Sequence, residues 1–214
     1  MNILTVNNVS KKLKGKDILN NVCLKMESRK KYGLVGKNGS GKTMLIRSLS
    51  GMMKPTEGEI QWNDKILYRD IDCIPDTGVI IENIGLCQQL NGFDNLKMLA
   101  KIRNKISTQQ IRNVISKVGL DPDNKLPVKK YSLGMKQKIA IAQAIMEQPV
   151  LLLLDEPTNA LDEESCINIR NIINAEAERG AIVLIASHNK EDVETICDEV
   201  YFMNEGKLSF KERK

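Results

Sequence analysis

Eight residues limit what this chain can fold into more than any others. Gly36-Lys37-Asn38-Gly39-Ser40-Gly41-Lys42-Thr43 matches the pattern G-x-x-x-x-G-K-[ST] in full. The glycines let successive backbone N–H groups turn inward around a polyphosphate. Lys42 brings a fixed positive charge to the β- and γ-phosphates, and Thr43 offers a hydroxyl to Mg²⁺. Tyr32 to Val35 is a short apolar run before the loop, and Met44 to Ser50 reads as a helix after it. A strand–loop–helix unit of this kind aims a helix N-terminus at the phosphates. Gly36, Lys37, Asn38, Gly39, Ser40, Gly41, Lys42, Thr43 and Met44 are therefore the candidate nucleotide contacts.

A second segment completes the chemistry. Leu151-Leu152-Leu153-Leu154-Asp155-Glu156 is an apolar strand ending in two carboxylates. Such a strand delivers side chains at its C-terminal edge, where ligands bind in open α/β sheets. Asp155 is placed to hold Mg²⁺, and Glu156, one step further, to polarise an attacking water. Ala181 to Ser187 is another apolar strand, with His188 just past its end. A neutral imidazole there can hydrogen-bond the γ-phosphate and the water. The alternative for each is bland: two solvated acids after a strand, and a surface histidine.

The rest of the chain fits an α/β protein with a helical insertion. Ile3 to Val6 and Val22 to Met26 read as strands, and Glu59 to Trp62 follows a turn at Pro55 to Gly58. These short strands predict an antiparallel layer beside a parallel sheet. Phe93 to Ile102 reads as a helix. Thr108 is expected to cap a second, in which Ile111, Val114, Ile115 and Val118 recur at helical spacing. Asp121-Pro122-Asp123 is a turn, and Lys136 to Glu147 a third helix ending near Pro149. Residues 83–149 form the expected helical insertion. Val150 to Leu154, the face Cys166, Ile169, Ile172 and Ile173, and Ala181 to Ala186 then give a β–α–β pattern with parallel neighbours. Val200 to Met203 and Lys207 to Phe210 close the chain around the turn Asn204-Glu205-Gly206.

Composition narrows the class. The 214 residues suffice for one sizeable domain with a subdomain, and aromatics at 4% leave the core to aliphatic side chains. A net charge of +5 with no run of like charges longer than Arg29-Lys30-Lys31 offers no nucleic-acid arm. Five scattered cysteines without a C-x-x-C pair, and a single histidine, point to reduced thiols in a cytosolic protein and away from a disulfide frame or zinc site. The N-terminus lacks the apolar core of a signal peptide, and the longest apolar stretches are too short to cross a bilayer.

Five elements in order make the chain resemble an ATP-binding subunit of the ABC transporter family along essentially its whole length. They are Gly36 to Thr43, a loop near Glu82, Tyr131-Ser132-Leu133-Gly134-Met135, Leu151 to Glu156 followed by Pro157 to Asp162, and His188. The resemblance implies a phosphate-loop ATPase domain with a mixed β core, an antiparallel β subdomain and an inserted helical subdomain, using ATP and Mg²⁺. It implies two domains head to tail, each ATP lying between one phosphate loop and the partner's signature segment. Ser132 and the Gly134 backbone would then meet the ATP of the opposite subunit, and Asn159 to Asp162 would touch across the dimer. Thr43, Asp155 and Glu82 would serve the metal. A separate membrane permease would be coupled through the helical insertion, with the subunit at the cytoplasmic face.

Three departures from the family pattern stand out. The signature usually reads Leu-Ser-Gly-Gly-Gln. The variant Tyr131 to Met135 is similar to that of exporter subunits for bacitracin and lantibiotics. Glu82 takes the place of a glutamine, as in lantibiotic self-protection transporters. Leu13 stands where an aromatic residue usually stacks on adenine. Two rivals are weighed. Asn189-Lys190-Glu191-Asp192 matches the N-K-x-D of GTPases, but Asp155-Glu156-Pro157-Thr158 lacks their D-x-x-G. A soluble regulatory relative usually carries two fused ATP domains or a long coiled coil. This chain has one phosphate loop and no sustained heptads.

Overall fold

The computed structural model describes residues 1–81 and 85–210, so Glu82 lies outside the described residues. Two sheets form the frame. The first is antiparallel, in the order β2-β1-β4-β5: β1 (Ile3–Leu13), β2 (Lys16–Glu27), β4 (Glu57–Trp62) and β5 (Lys65–Ile66). The second has the order β10-β9-β3-β8-β7-β6. In it β3 (Lys31–Val35), β6 (Thr77–Ile80), β7 (Leu151–Asp155), β8 (Ile182–Ser187) and β9 (Glu199–Asn204) run parallel. Only β10 (Lys207–Phe210) is antiparallel, joined to β9 through Glu205 and Gly206, both at positive φ as a tight hairpin requires.

Alternation on the six-stranded sheet divides the core. Leu151, Leu153, Ile182, Leu184 and Ala186 face one way and pack with β1, β2 and α1 (Lys42–Leu49). Leu152, Leu154, Val183 and Ile185 face the other way. They pack with α4 (Leu133–Ile145), α5 (Glu163–Arg179) and α6 (Lys190–Ile196). Each fully buried Leu or Ile contributes about 1.5–3 kcal/mol, so both faces are strongly committed. Side chains of α2 (Gly92–Arg103) and α3 (Thr108–Lys117) join this second cluster without a break. At β6 the approach of α4 is so close that a Cβ on Gly78 would lie 2.0 Å from the Ala144 carbonyl oxygen.

Several boundaries differ from the sequence expectation, each for a local reason. β1 runs to Leu13, well beyond Val6. Its buried residues Leu4, Val6 and Val9 change phase where Asn8, at φ +50, makes a bulge that breaks the period of two. The same break at Asn21 hides the first half of β2. Ser107, and not Thr108, caps α3: its side chain accepts from Gln110 N–H while Gln110 reaches back to the Ser107 N–H. α4 starts at Leu133, three residues before Lys136, because Ser132 caps it by accepting the Met135 N–H at 3.1 Å. None of the described helices is long and apolar enough to cross a membrane.

Candidate active site

The strand order assembles the site. β8 lies between β3 and β7, with Val35 opposite Ser187 and Ala186 opposite Asp155. The phosphate loop leaves β3, Asp155 and Glu156 end β7, and His188 follows β8, so all three reach one edge of the sheet.

The loop is shaped to hold something it does not itself supply. Gly41, the residue before α1, has φ +112, and its Cβ would lie 2.9 Å from the Ile18 carbonyl oxygen. A Cβ on Gly36 would sit 2.4 Å from Met203 O. Lys42 is 6% exposed and donates Nζ–H to Gly36 O at 2.6 Å and Lys37 O at 3.3 Å. Ser40 Oγ is buried without a hydrogen-bond partner among the described residues. A buried cation resting on carbonyls, an orphaned hydroxyl and a helix N-terminus are the donor set of a polyphosphate cradle.

A cleft of about 390 Å³ opens over this loop. Asn38, Gly39, Gly41, Lys42, Thr43 and Met44 line it together with Asp155 and Glu156. Leu13 and Ile18 supply an aliphatic wall, with Arg47 beside them. Leu13 therefore does reach the cleft, carried there by the second half of β1 that the sequence pattern concealed.

The polar groups interlock. Thr43 Oγ1 donates to Asp155 Oδ2 at 2.5 Å. Glu156 Oε2 accepts from the Ser187 hydroxyl at 3.0 Å, and Oε1 accepts from the His188 backbone N–H at 2.8 Å. His188 Nδ1 lies 2.8 Å from the same Oε1, so that ring nitrogen carries the proton. Asn189 N–H donates to Ser187 Oγ at 3.1 Å, and α6 begins at the next residue. The Asn189–Asp192 tetrapeptide is thus the start of a helix, as the sequence led us to expect.

Ser187 was not singled out from sequence, although its place at the end of a buried strand, one residue before His188, was a usable signal. Gln137 was also missed. Its side chain donates to the carbonyls of Glu156 and Pro157, and nothing local in the sequence marks that contact.

Ser132 and Gly134 do not line the phosphate-loop cleft. Ser132 is exposed at the start of α4, and Gly134 packs against the 159–162 loop, where its Cβ would lie 2.9 Å from Ala160 O. A second cleft of about 470 Å³ lies on this side, lined by Leu133, Lys136, Gln137, Asn159 and Ala160, and it shares Asp155 and Glu156 with the first. At the end of the 159–162 loop Asp162 caps α5. Hydrogen bonds from the Ser165 side chain and N–H hold its carboxyl below the usual carboxylate range.

Comparison with known proteins agrees with this geometry. Residues 19–159 match the ABC transporter family. The chain is 46% identical to the uncharacterized ABC transporter ATP-binding protein YybJ of Bacillus subtilis, over 99% of this chain and 97% of that protein. It is 36% identical to the lantibiotic transport ATP-binding protein SrtF of Streptococcus pyogenes, over 96% and 89%. Its fold superposes with a TM-score of 0.87 on the dimeric structure of a bacterial ABC transporter cassette, at 21% identity and 98% coverage of both chains. A loop built for polyphosphate, two carboxylates at the end of a strand one removed from it and a family match over most of the chain lead to one conclusion: this protein belongs to the ABC transporter family and is one of its ATP-binding, ATP-hydrolysing subunits.

Proposed function

We infer that this chain works as one half of a head-to-tail pair that hydrolyses ATP between its members and drives a separate membrane permease, an exporter of antibiotic-type peptides. The observation that carries the pairing is the separation within one copy. Lys42, Thr43, Asp155 and Glu156 line one cleft, while Ser132, the exposed cap of α4, lies outside it. A second copy supplying its own Ser132 and Gly134 would complete the donor set.

Within each cleft the residues divide the work. Lys42 exchanges its two carbonyl partners for phosphate oxygens, with the loop N–H groups of Gly39 to Thr43 closing around them. Thr43 and Asp155 would hold Mg²⁺, which neutralises developing phosphate charge when bound. Glu82, in the segment outside the described residues, would add to that coordination. Glu156 takes the proton of the attacking water, its carboxylate aimed by Ser187 and His188. A neutral His188 with its proton on Nδ1 has only an acceptor at Nε2. It must leave Glu156 or gain a proton before it donates to a phosphate oxygen.

The permease partner draws support from a groove of about 340 Å³ on the helical side. Met52 and Ile102, 66% and 77% exposed, line it beside Asp76, Arg103 and Glu147. Exposed apolar side chains ringed by charge suit a protein contact. The named relative SrtF serves lantibiotic transport, and the Tyr131 to Met135 signature agrees with that class of cargo. Transport in turn places the chain at the inner face of the membrane.

The pairing is tested by the concentration dependence of hydrolysis. With saturating MgATP, the rate should rise with the square of subunit concentration until the dimer saturates, and Ser132→Arg should abolish the rise while ATP still binds. A first-order dependence maintained down to concentrations at which sedimentation shows only monomer would refute the pairing. Recovery of a multi-span membrane protein with the chain from detergent extracts tests the permease.

A further inference from the structure

The turn after β7 is held from two sides. Glu156 sits at φ +50, a left-handed conformation that costs a non-glycine residue about 1–3 kcal/mol and persists only where its surroundings enforce it. On the sheet side, Glu156 N–H donates to Ala186 O at 2.8 Å. On the helix side, Gln137 of α4 donates through Nε2 to Glu156 O at 3.1 Å and to Pro157 O at 3.0 Å. Asn159 N–H adds a second bond to Glu156 O at 3.2 Å. The amide nitrogen of Gln137 thus directs its donors to two consecutive main-chain carbonyls, at the peptide that turns the Glu156 carboxylate toward Ser187 and His188.

We propose that Gln137 is the positioning residue for Glu156, and that through it α4 sets the aim of the base. The inference rests on the reading of Glu156 as the base. Ser132 and Gln137 are five residues apart on one rigid helix, about 7.5 Å along its axis. In the paired arrangement the tip of α4 meets the neighbour's nucleotide, while Gln137 grips the turn of its own site. A shift of α4 on docking therefore reaches the carboxylate through two hydrogen bonds. Neither of these bonds involves the substrate, so their loss falls on the chemical step more than on ATP binding.

Three variants of the full chain, assayed with MgATP, test this. Gln137→Met keeps length and removes the donors. Gln137→Glu keeps shape and sets a carboxylate against two carbonyls. Gln137→Lys restores a donor of similar reach. Because a misplacement of about 1 Å can cost about 100-fold in rate, kcat should fall about 10- to 100-fold in the Met and Glu variants. Their KM for ATP should stay within about threefold of wild type, and the Lys variant should recover most of the rate. Combining Gln137→Met with Glu156→Gln should cost nothing beyond Glu156→Gln alone, since the clamp acts only through that carboxylate.

The outcomes separate the two ideas. Wild-type hydrolysis by Glu156→Gln would sink the base assignment and the clamp with it. An inactive Glu156→Gln beside Gln137→Met and Gln137→Glu variants within about twofold of wild-type kcat would sink the clamp alone. If all three Gln137 variants lose rate and ATP affinity together, or fail to fold, Gln137 is a structural residue and the proposal is overturned.

Discussion

Replacing Glu156 by glutamine removes a base while leaving its surroundings nearly satisfied. In the protein, Oε1 accepts two bonds from His188 and Oε2 one from Ser187. A glutamine can keep its oxygen toward His188. Its new N–H₂ can donate to Ser187 Oγ, which already accepts from Asn189 N–H and has a second lone pair. Three charge-assisted bonds of about 1.5–3 kcal/mol each thus become neutral ones of about 0.5–1.5 kcal/mol, and at this partly exposed carboxylate the total loss is about 1–3 kcal/mol. For a chain of this size that lowers Tm by about 2–12 °C. Turnover should suffer more. Loss of a positioned general base costs about 10²- to 10⁴-fold, or about 3–5 kcal/mol of transition-state stabilisation. Steady-state phosphate release would measure that fall, a nucleotide titration would show binding retained, and thermal unfolding would report the shift. Turnover within tenfold of wild type would refute the base assignment. A drop in Tm beyond about 15 °C would refute the account of the hydrogen bonds.

Two further substitutions probe the cradle and the sheet. Lys42→Ala should weaken ATP binding by about 10- to 100-fold, the equivalent of one charged hydrogen-bonding group, and a titration with labelled nucleotide measures it. An unchanged affinity would show that the backbone amides alone hold the phosphates. Gly78→Ala should destabilise the protein by about 1–3 kcal/mol or more, because its Cβ meets the backbone of α4 and no flexible side chain can give way. Calorimetry showing an unchanged Tm would contradict that close approach.

What could be read from sequence was whatever depends on short spacing. The eight-residue loop, the Leu151 to Glu156 strand and the face of Ile169, Ile172 and Ile173 all express their chemistry within a few positions, and each appears where spacing predicts. Bulges defeat that method. Asn8 and Asn21 shift the phase of β1 and β2, so a search for alternation stops early and never follows β1 to Leu13. The start of α4 was hidden because Leu133-Gly134-Met135 carries no helical period; its cap bond, from Met135 N–H to Ser132, identifies it. The left-handed backbone at Glu156 was illegible because glutamate has no preference for that conformation and adopts it only under tertiary constraint. The grip of Gln137 on residues 156 and 157 crosses from one helix to the end of a strand, a relation that exists only in the folded chain.

The hairpin at Glu205 and Gly206 carries a consequence for biogenesis. Gly206 N–H donates to Ser40 O, and Asn20 N–H donates to Gly206 O, so this distal turn bridges the nucleotide loop and the antiparallel sheet. β3, which carries that loop, lies between β8 and β9. A ribosome finishes residues 36–43 well before it makes their flanking strands and their clasp, between residues 182 and 206. The nascent polypeptide cannot clasp its cradle until Gly206 has emerged, so termination before that residue yields a product whose nucleotide loop is unsecured.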